Sequence, residues 1–151
     1  MDKKEFSKIR RQLGKTQSQM AQLLGTSFKA IQSFEQGWRN IPLHIERQVL
    51  FLFAFKNPYN RINVPCWVIK ECRIEWRQNC PAWEFQIGHF CWFINGTICH
   101  GEVQANWQKK MKICRKCDVF QAMFSLLYRK DIGSTDPSES SEVVYQGFQK
   151  V

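Results

Sequence analysis

The sequence predicts an all-α domain followed by a small, cysteine-rich α+β module, and three observations lead there. Apolar residues recur at helical spacing through residues 1–56, between capping residues and glycines placed where helices would start and stop. All seven cysteines fall between positions 66 and 117, where that spacing gives way to short aromatic stretches. Charge divides the chain in the same way. Residues 1–64 hold eleven Lys+Arg against four Asp+Glu, a net +7 with no cysteine, whereas residues 65–120 hold eight against five. With 44% hydrophobic and 14% aromatic residues, 151 residues can build packed cores, which excludes wholesale disorder.

Phe6, Ile9 and Leu13 stand at i, i+3 and i+7 ahead of Gly14 and predict a first helix. Thr16 and Gln19 fit a capping box that opens a second, whose Met20, Ala21, Leu23 and Leu24 supply one apolar face before Gly25. Thr26 or Ser27 caps a third, with Ile31 and Phe34 inward and Gly37 at its end. A fourth begins near Pro42 and runs to Phe55. Its second half, from Val49 on, is apolar on every side, so its own domain and something else must cover it. Lys56 to Arg61 reads as a short polar connection. From Pro65 the pattern breaks into Cys66-Trp67-Val68-Ile69, Trp83-Glu84-Phe85, Phe90 to Ile94 and Thr97-Ile98-Cys99, with Asn95-Gly96 between the last two as a hairpin signal. Gln104 to Leu127 reads as one or two helices interrupted by Cys114-Arg115-Lys116-Cys117. The predicted organisation is therefore a domain over 1–56, a module over 65–131, and a tail over 132–151 whose composition predicts disorder.

The second and third helices are separated by Gly25-Thr26-Ser27, the length and the glycine that a helix-turn-helix needs. Ile9-Arg10-Arg11, Thr16 through Ser27, and Ile31-Gln32-Ser33-Phe34-Glu35-Gln36-Gly37 resemble the phage-repressor (Cro/repressor, XRE-type) DNA-binding family over roughly residues 3–55. The resemblance implies that the third helix enters the major groove of double-stranded operator DNA. Ser27, Phe28, Lys29, Gln32 and Ser33 would then face it, with Lys29 able to reach guanine and Phe28 a thymine methyl. Gln17 would donate to a phosphate, Arg39 would contact the backbone, and Arg10 would pair with Glu35 for structure alone. Members of such a family gain affinity by binding two half-sites as homodimers, and the apolar end of the fourth helix is the candidate interface, with the second module as its competing cover.

No apolar stretch approaches the eighteen residues of a membrane span, and Met1-Asp2-Lys3-Lys4-Glu5 leads into a polar segment without a signal core. A cytoplasmic protein is expected. In a reducing compartment, clustered thiols bind metal or do redox chemistry more readily than they form static disulfides. Cys66, Cys72, Cys80, Cys91, Cys99, Cys114 and Cys117 are all candidate ligands, and a module this short needs a staple. A zinc ribbon usually shows two Cys-x-x-Cys pairs; here one pair stands with five scattered thiols, which favours an iron–sulfur cluster over structural zinc and leaves thiol–disulfide switching as a third reading. Cys66-Trp67, Cys80-Pro81-Ala82-Trp83, Cys91-Trp92, Gly96-Thr97-x-Cys99-x-Gly101-Glu102, Lys110 and Cys114-x-x-Cys117 also resemble a Cys/Trp-rich (two-CW) module of prokaryotic signalling proteins. That resemblance implies sensing. With no nucleophile–base constellation and no phosphate loop, the sequence points to a transcription regulator rather than an enzyme. The rivals are a DNA-binding protein whose zinc module recruits a protein, and a DNA-tethered thiol redox protein.

Overall fold

The computed structural model describes residues 1–57 and 64–128, which are mostly helical with one small two-stranded sheet. The connection expected beyond Lys56 lies largely outside the described residues, as do residues 129–131 of the module and the whole tail over 132–151.

Four helices fill the first part: α1 (Lys3–Gln12), α2 (Gln17–Leu23), α3 (Phe28–Gln36) and α4 (Leu43–Lys56). Asp2, Thr16 and Ser27 each accept a backbone N–H of the helix they open, and Thr16 with Gln19 completes the capping box in both directions. Gly37 closes α3 in the left-handed conformation, at φ 81°, which only glycine adopts cheaply. Phe6, Ile9, Leu13, Met20, Ala21, Leu24, Ile31 and Phe34 are buried together. Leu23 is the exception to the expected α2 face: it is 48% exposed, because the buried positions Met20, Ala21 and Leu24 lie around the other side of the helix.

The second part is α5 (Cys66–Ile69), α6 (Ile74–Gln78), α7 (Pro81–Glu84), a 3-10 turn at Gly88–Phe90, β1 (Thr97–Cys99), β2 (Glu102–Gln104), α8 (Trp107–Cys114), α9 (Asp118–Met123) and α10 (Ser125–Tyr128). The expected hairpin exists but is displaced. β1 pairs antiparallel with β2, Ile98 opposite Val103, and the turn is His100-Gly101, both at positive φ, rather than Asn95-Gly96. The reason lies in the segment before it. Trp92 is buried edge-on against Phe120 and Phe124, so Phe90 to Ile94 is spent on the core instead of pairing as a strand.

One cluster of buried side chains runs through both parts. Phe51 of α4 packs on Phe93 and Phe90, with centroids 5.3 and 6.0 Å away, and Phe53 stacks on Phe124 at 5.8 Å. The all-round apolar end of α4 is thus covered largely by the chain's own second part, while Phe55, 62% exposed, stacks on Phe51 at 5.9 Å. Arg47 clamps the same seam: its guanidinium lies 4.5 Å from the Trp107 ring and donates to the Phe93 carbonyl at 3.1 Å. No helix is long and apolar enough to cross a membrane among the described residues.

Candidate functional site

All seven cysteines line one cavity of about 470 Å³. They reach it from six different places. Cys66 opens α5, Cys72 follows it, Cys80 caps α7, Cys91 follows the 3-10 turn, Cys99 ends β1, and Cys114 and Cys117 sit either side of the α8–α9 junction. Gly88 makes the first of these approaches possible: a Cβ there would stand 2.6 Å from Pro65 and 2.8 Å from Trp67, so only glycine lets the 3-10 turn close on α5. Arg77 holds the α5–Cys72 segment, donating from Nε to the Cys72 carbonyl at 2.7 Å and from Nη2 to that of Trp67 at 3.4 Å. The Ile98 N–H points at the Cys80 sulfur, 3.4 Å away.

The wall contains thiols, the rings of Trp67, Trp76 and Trp83, and the cations Lys70, Arg77, Lys110, Lys112 and Lys116, with no carboxylate among the described lining residues. Burial pushes the Cys114 thiol up to about 12 and raises Cys72 and Cys99 as well. Cys91 donates to Cys66, which raises the donor's pKa further and lowers that of Cys66. A metal entering here must displace protons that most of the thiols hold at neutral pH. Among the described residues no three of His, Cys, Asp or Glu stand close enough to hold one metal ion. A zinc ion held by cysteine alone needs four sulfurs about 3.8 Å apart, the edge of a tetrahedron with Zn–S bonds of about 2.3 Å.

Lys110 was not a candidate from sequence beyond its place in the resemblance. It is 1% exposed, and Nζ donates to the Cys91 carbonyl at 2.6 Å, to Thr97 Oγ1 at 2.7 Å and to the Ile94 carbonyl. Burial lowers its pKa, against the pull of the surrounding thiols. A signal for it was present: Trp107, Lys110, Met111 and Cys114 stand at i, i+3, i+4 and i+7, placing a lysine on an apolar helix face.

In the first part of the chain, α2 and α3 meet through Leu24 to Ser27, with Gly25 at φ 59° and the Thr26 N–H on the Ala21 carbonyl at 3.0 Å. Ser27, Phe28 (45% exposed), Lys29 and Arg39 are exposed, whereas Gln32 and Ser33 are half-buried. Ser27 spends its hydroxyl on the Ala30 N–H and Ser33 donates its own to the Lys29 carbonyl at 2.8 Å. Gln17 donates to Glu35 Oε2 at 2.5 Å, and Arg10 grips the same carboxylate with Nε at 2.6 Å and Nη2 at 3.1 Å.

No family model, curated protein or solved structure matches this chain.

Arg115 lies between cavity-lining Cys114 and Cys117 and ties that segment to the first part of the chain. It donates from Nη1 to Glu5 of α1 at 2.7 Å and from Nη2 to Glu46 of α4 at 3.1 Å. Glu46 is buried, and the Met1 amino group lies 3.1 Å from the same oxygen. Sequence reasoning gave Arg115 no role, because nothing local in Cys-Arg-Lys-Cys points to partners 110 and 69 positions away.

Proposed function

We propose that this chain is a cytoplasmic, DNA-binding transcription regulator, acting as a homodimer, whose thiol cavity holds an iron–sulfur centre that reports redox state. The observation that carries this reading is that all seven cysteines face one cavity whose wall is bonded, through Arg115, to α1 and α4. A cubane takes one thiolate on each of four iron corners, and the cavity offers seven thiols from which to supply them. Bound there, such a centre would supply one-electron chemistry and sensitivity to oxygen. Cys114 and Cys117 would hold it together with two of the other five, while Trp67, Trp76 and Trp83 would restrict water.

The DNA half of the reading is supported by the +7 carried by residues 1–64 and by the exposed Ser27-Phe28-Lys29 start of α3. Gln17 is held by Glu35 in the free protein and would share its amide with a phosphate on docking. A dimer must use a surface other than the covered end of α4, because that end already packs on the second part of the chain.

The test begins with anaerobic purification. Iron, sulfide and a visible charge-transfer absorption that oxygen bleaches are expected; colourless protein with bound zinc would overturn the cluster. Duplexes selected from a random-sequence pool then define an operator. Lys29→Ala should lose about 1–3 kcal/mol of preference for it over scrambled DNA, and Gln17→Ala should weaken all sequences alike. An unchanged preference in Lys29→Ala would remove α3 as the reading helix.

A further inference from the structure

We infer that Cys66 and Cys91 form a thiol–disulfide exchange site, which takes small disulfides carrying negative charge and is itself closed to a Cys66–Cys91 disulfide. The inference goes beyond the metal reading and does not use it: exchange needs two thiols in contact, not several ligands around one ion. These two are in contact, since the Cys91 thiol donates to that of Cys66 although the residues stand 25 positions apart. Backbone packing brings them together. Cys91 directly follows the 3-10 turn, and that turn lies so close on α5 that a Cβ at Gly88 would stand 3.0 Å from the Cys66 nitrogen. Each partner is also anchored from outside the pair. Lys110 Nζ donates to the Cys91 carbonyl at 2.6 Å, and Arg77 Nη2 donates to the carbonyl of Trp67, next to Cys66, at 3.4 Å. Thiols held in this way close to the S–S length of about 2.05 Å by turning their side chains, with the backbone in place. Two other sulfurs of the cavity have different neighbours: Cys80 faces the Ile98 N–H at 3.4 Å, and Cys99 lies 3.9 Å from Thr97 Oγ1.

The cavity sets the charge of the reagent. Lys70, Arg77, Lys112 and Lys116 line it, with no carboxylate among the described lining residues, so an entering anion is attracted and a cation repelled. Cys66 accepts the pair's hydrogen bond and makes the first attack. Its thiol gives a proton to water, its sulfur bonds to one sulfur of the incoming disulfide, the reagent's S–S bond breaks, and one small thiolate leaves and takes up a proton. Cys91 then loses its proton and attacks the Cys66 sulfur, which forms the Cys66–Cys91 bond and releases the second small thiolate, protonated in turn. The two cysteines are oxidised by two electrons and the reagent is reduced to two thiols.

The experiment uses the full chain, reduced and freed of metal by chelation under anaerobic conditions, with its fold checked by circular dichroism. It is treated with 3,3′-dithiodipropionate, a dianion, or with cystamine, a dication of similar length, then alkylated, digested and mapped by mass spectrometry. The same chain in guanidinium chloride is the reference, where loop closure favours Cys114–Cys117, three positions apart. In the folded chain Cys66–Cys91 should be the first and main pair, and Cys91→Ser should stop at a mixed disulfide on Cys66. Divided by the denatured rates, reaction with the dianion should exceed that with the dication by on the order of tenfold at low salt. The ratio should fall when the two exposed lining cations are neutralised together, Lys112→Gln with Lys116→Gln. A folded chain in which Cys114–Cys117 or a mixture of pairs leads would overturn the pair, and so would a metal-free chain without folded structure, since the contact would then need a metal. A folded Cys91→Ser variant with no mixed disulfide on Cys66 would overturn the order of attack. Equal normalised rates, or a ratio undiminished in the double variant, would overturn the cavity's selection by charge.

Discussion

Glu35 shows how one side chain can carry several tasks. Burial alone would raise its pKa, but hydrogen bonds from Arg10 and Gln17 and the Arg10 charge outweigh that, and the carboxyl is held below its ordinary value. The sign of the pH effect follows. A carboxylate depressed in the folded state stabilises it above the unfolded pKa, and the contribution fades as pH falls through the lower, folded pKa. The stability advantage of the unmodified protein over Glu35→Gln should therefore be level at neutral pH. It should begin to shrink as pH drops below the ordinary glutamate value of about 4.3. Urea midpoints of the two proteins at a series of pH values measure this; an advantage that grows on acidification would mean the carboxyl is not held ionised. Since Gln17 shares the same carboxylate, the substitution also frees the amide assigned to a phosphate.

At the scale of elements, the closest approach is that of the 3-10 turn to α5 at Gly88. Gly88→Ala places a methyl where Pro65 and Trp67 already stand, and overpacking of this kind costs about 1–3 kcal/mol. Cys66 and Cys91 would separate, and thermal melting of the metal-free protein should occur at lower temperature. An unchanged melting temperature would show that the contact is slack. Elements α1 to α3 were legible in the sequence because they carry local punctuation, Gly14 after the first, the Thr16–Gln19 box, Ser27 and Gly37, while α4 was legible from Pro42 and the apolar run that follows it. The hairpin was misplaced because Asn95-Gly96 is a local turn signal, whereas the burial of Trp92 against α9 is a distant one. The cysteines as a set were legible from composition. That they face a single cavity was not, since it depends on six short segments whose order in space no local spacing encodes.

For the molecule as a whole, Arg115 is the polar joint and the aromatic seam around Phe51, Phe53, Phe93 and Phe124 the apolar one. Arg115→Leu leaves Glu5 and buried Glu46 without their guanidinium, and the unfolding free energy should fall by about 1–3 kcal/mol. If Arg115 carries the signal, operator affinity in this variant should no longer respond to loading of the cavity; a preserved response would assign the coupling to the seam alone. The seam has a further consequence in the currency of heredity. Parts that fold behind polar surfaces can be cut from one gene and joined to another, each bringing its own finished boundary. Here α4 would arrive with Phe51 and Phe53 bare, and the cysteine-bearing part with Phe93 and Phe124 bare. Recombination between these halves succeeds only when the incoming partner carries matching rings, so the two are bound to change together, residue against residue, along that seam.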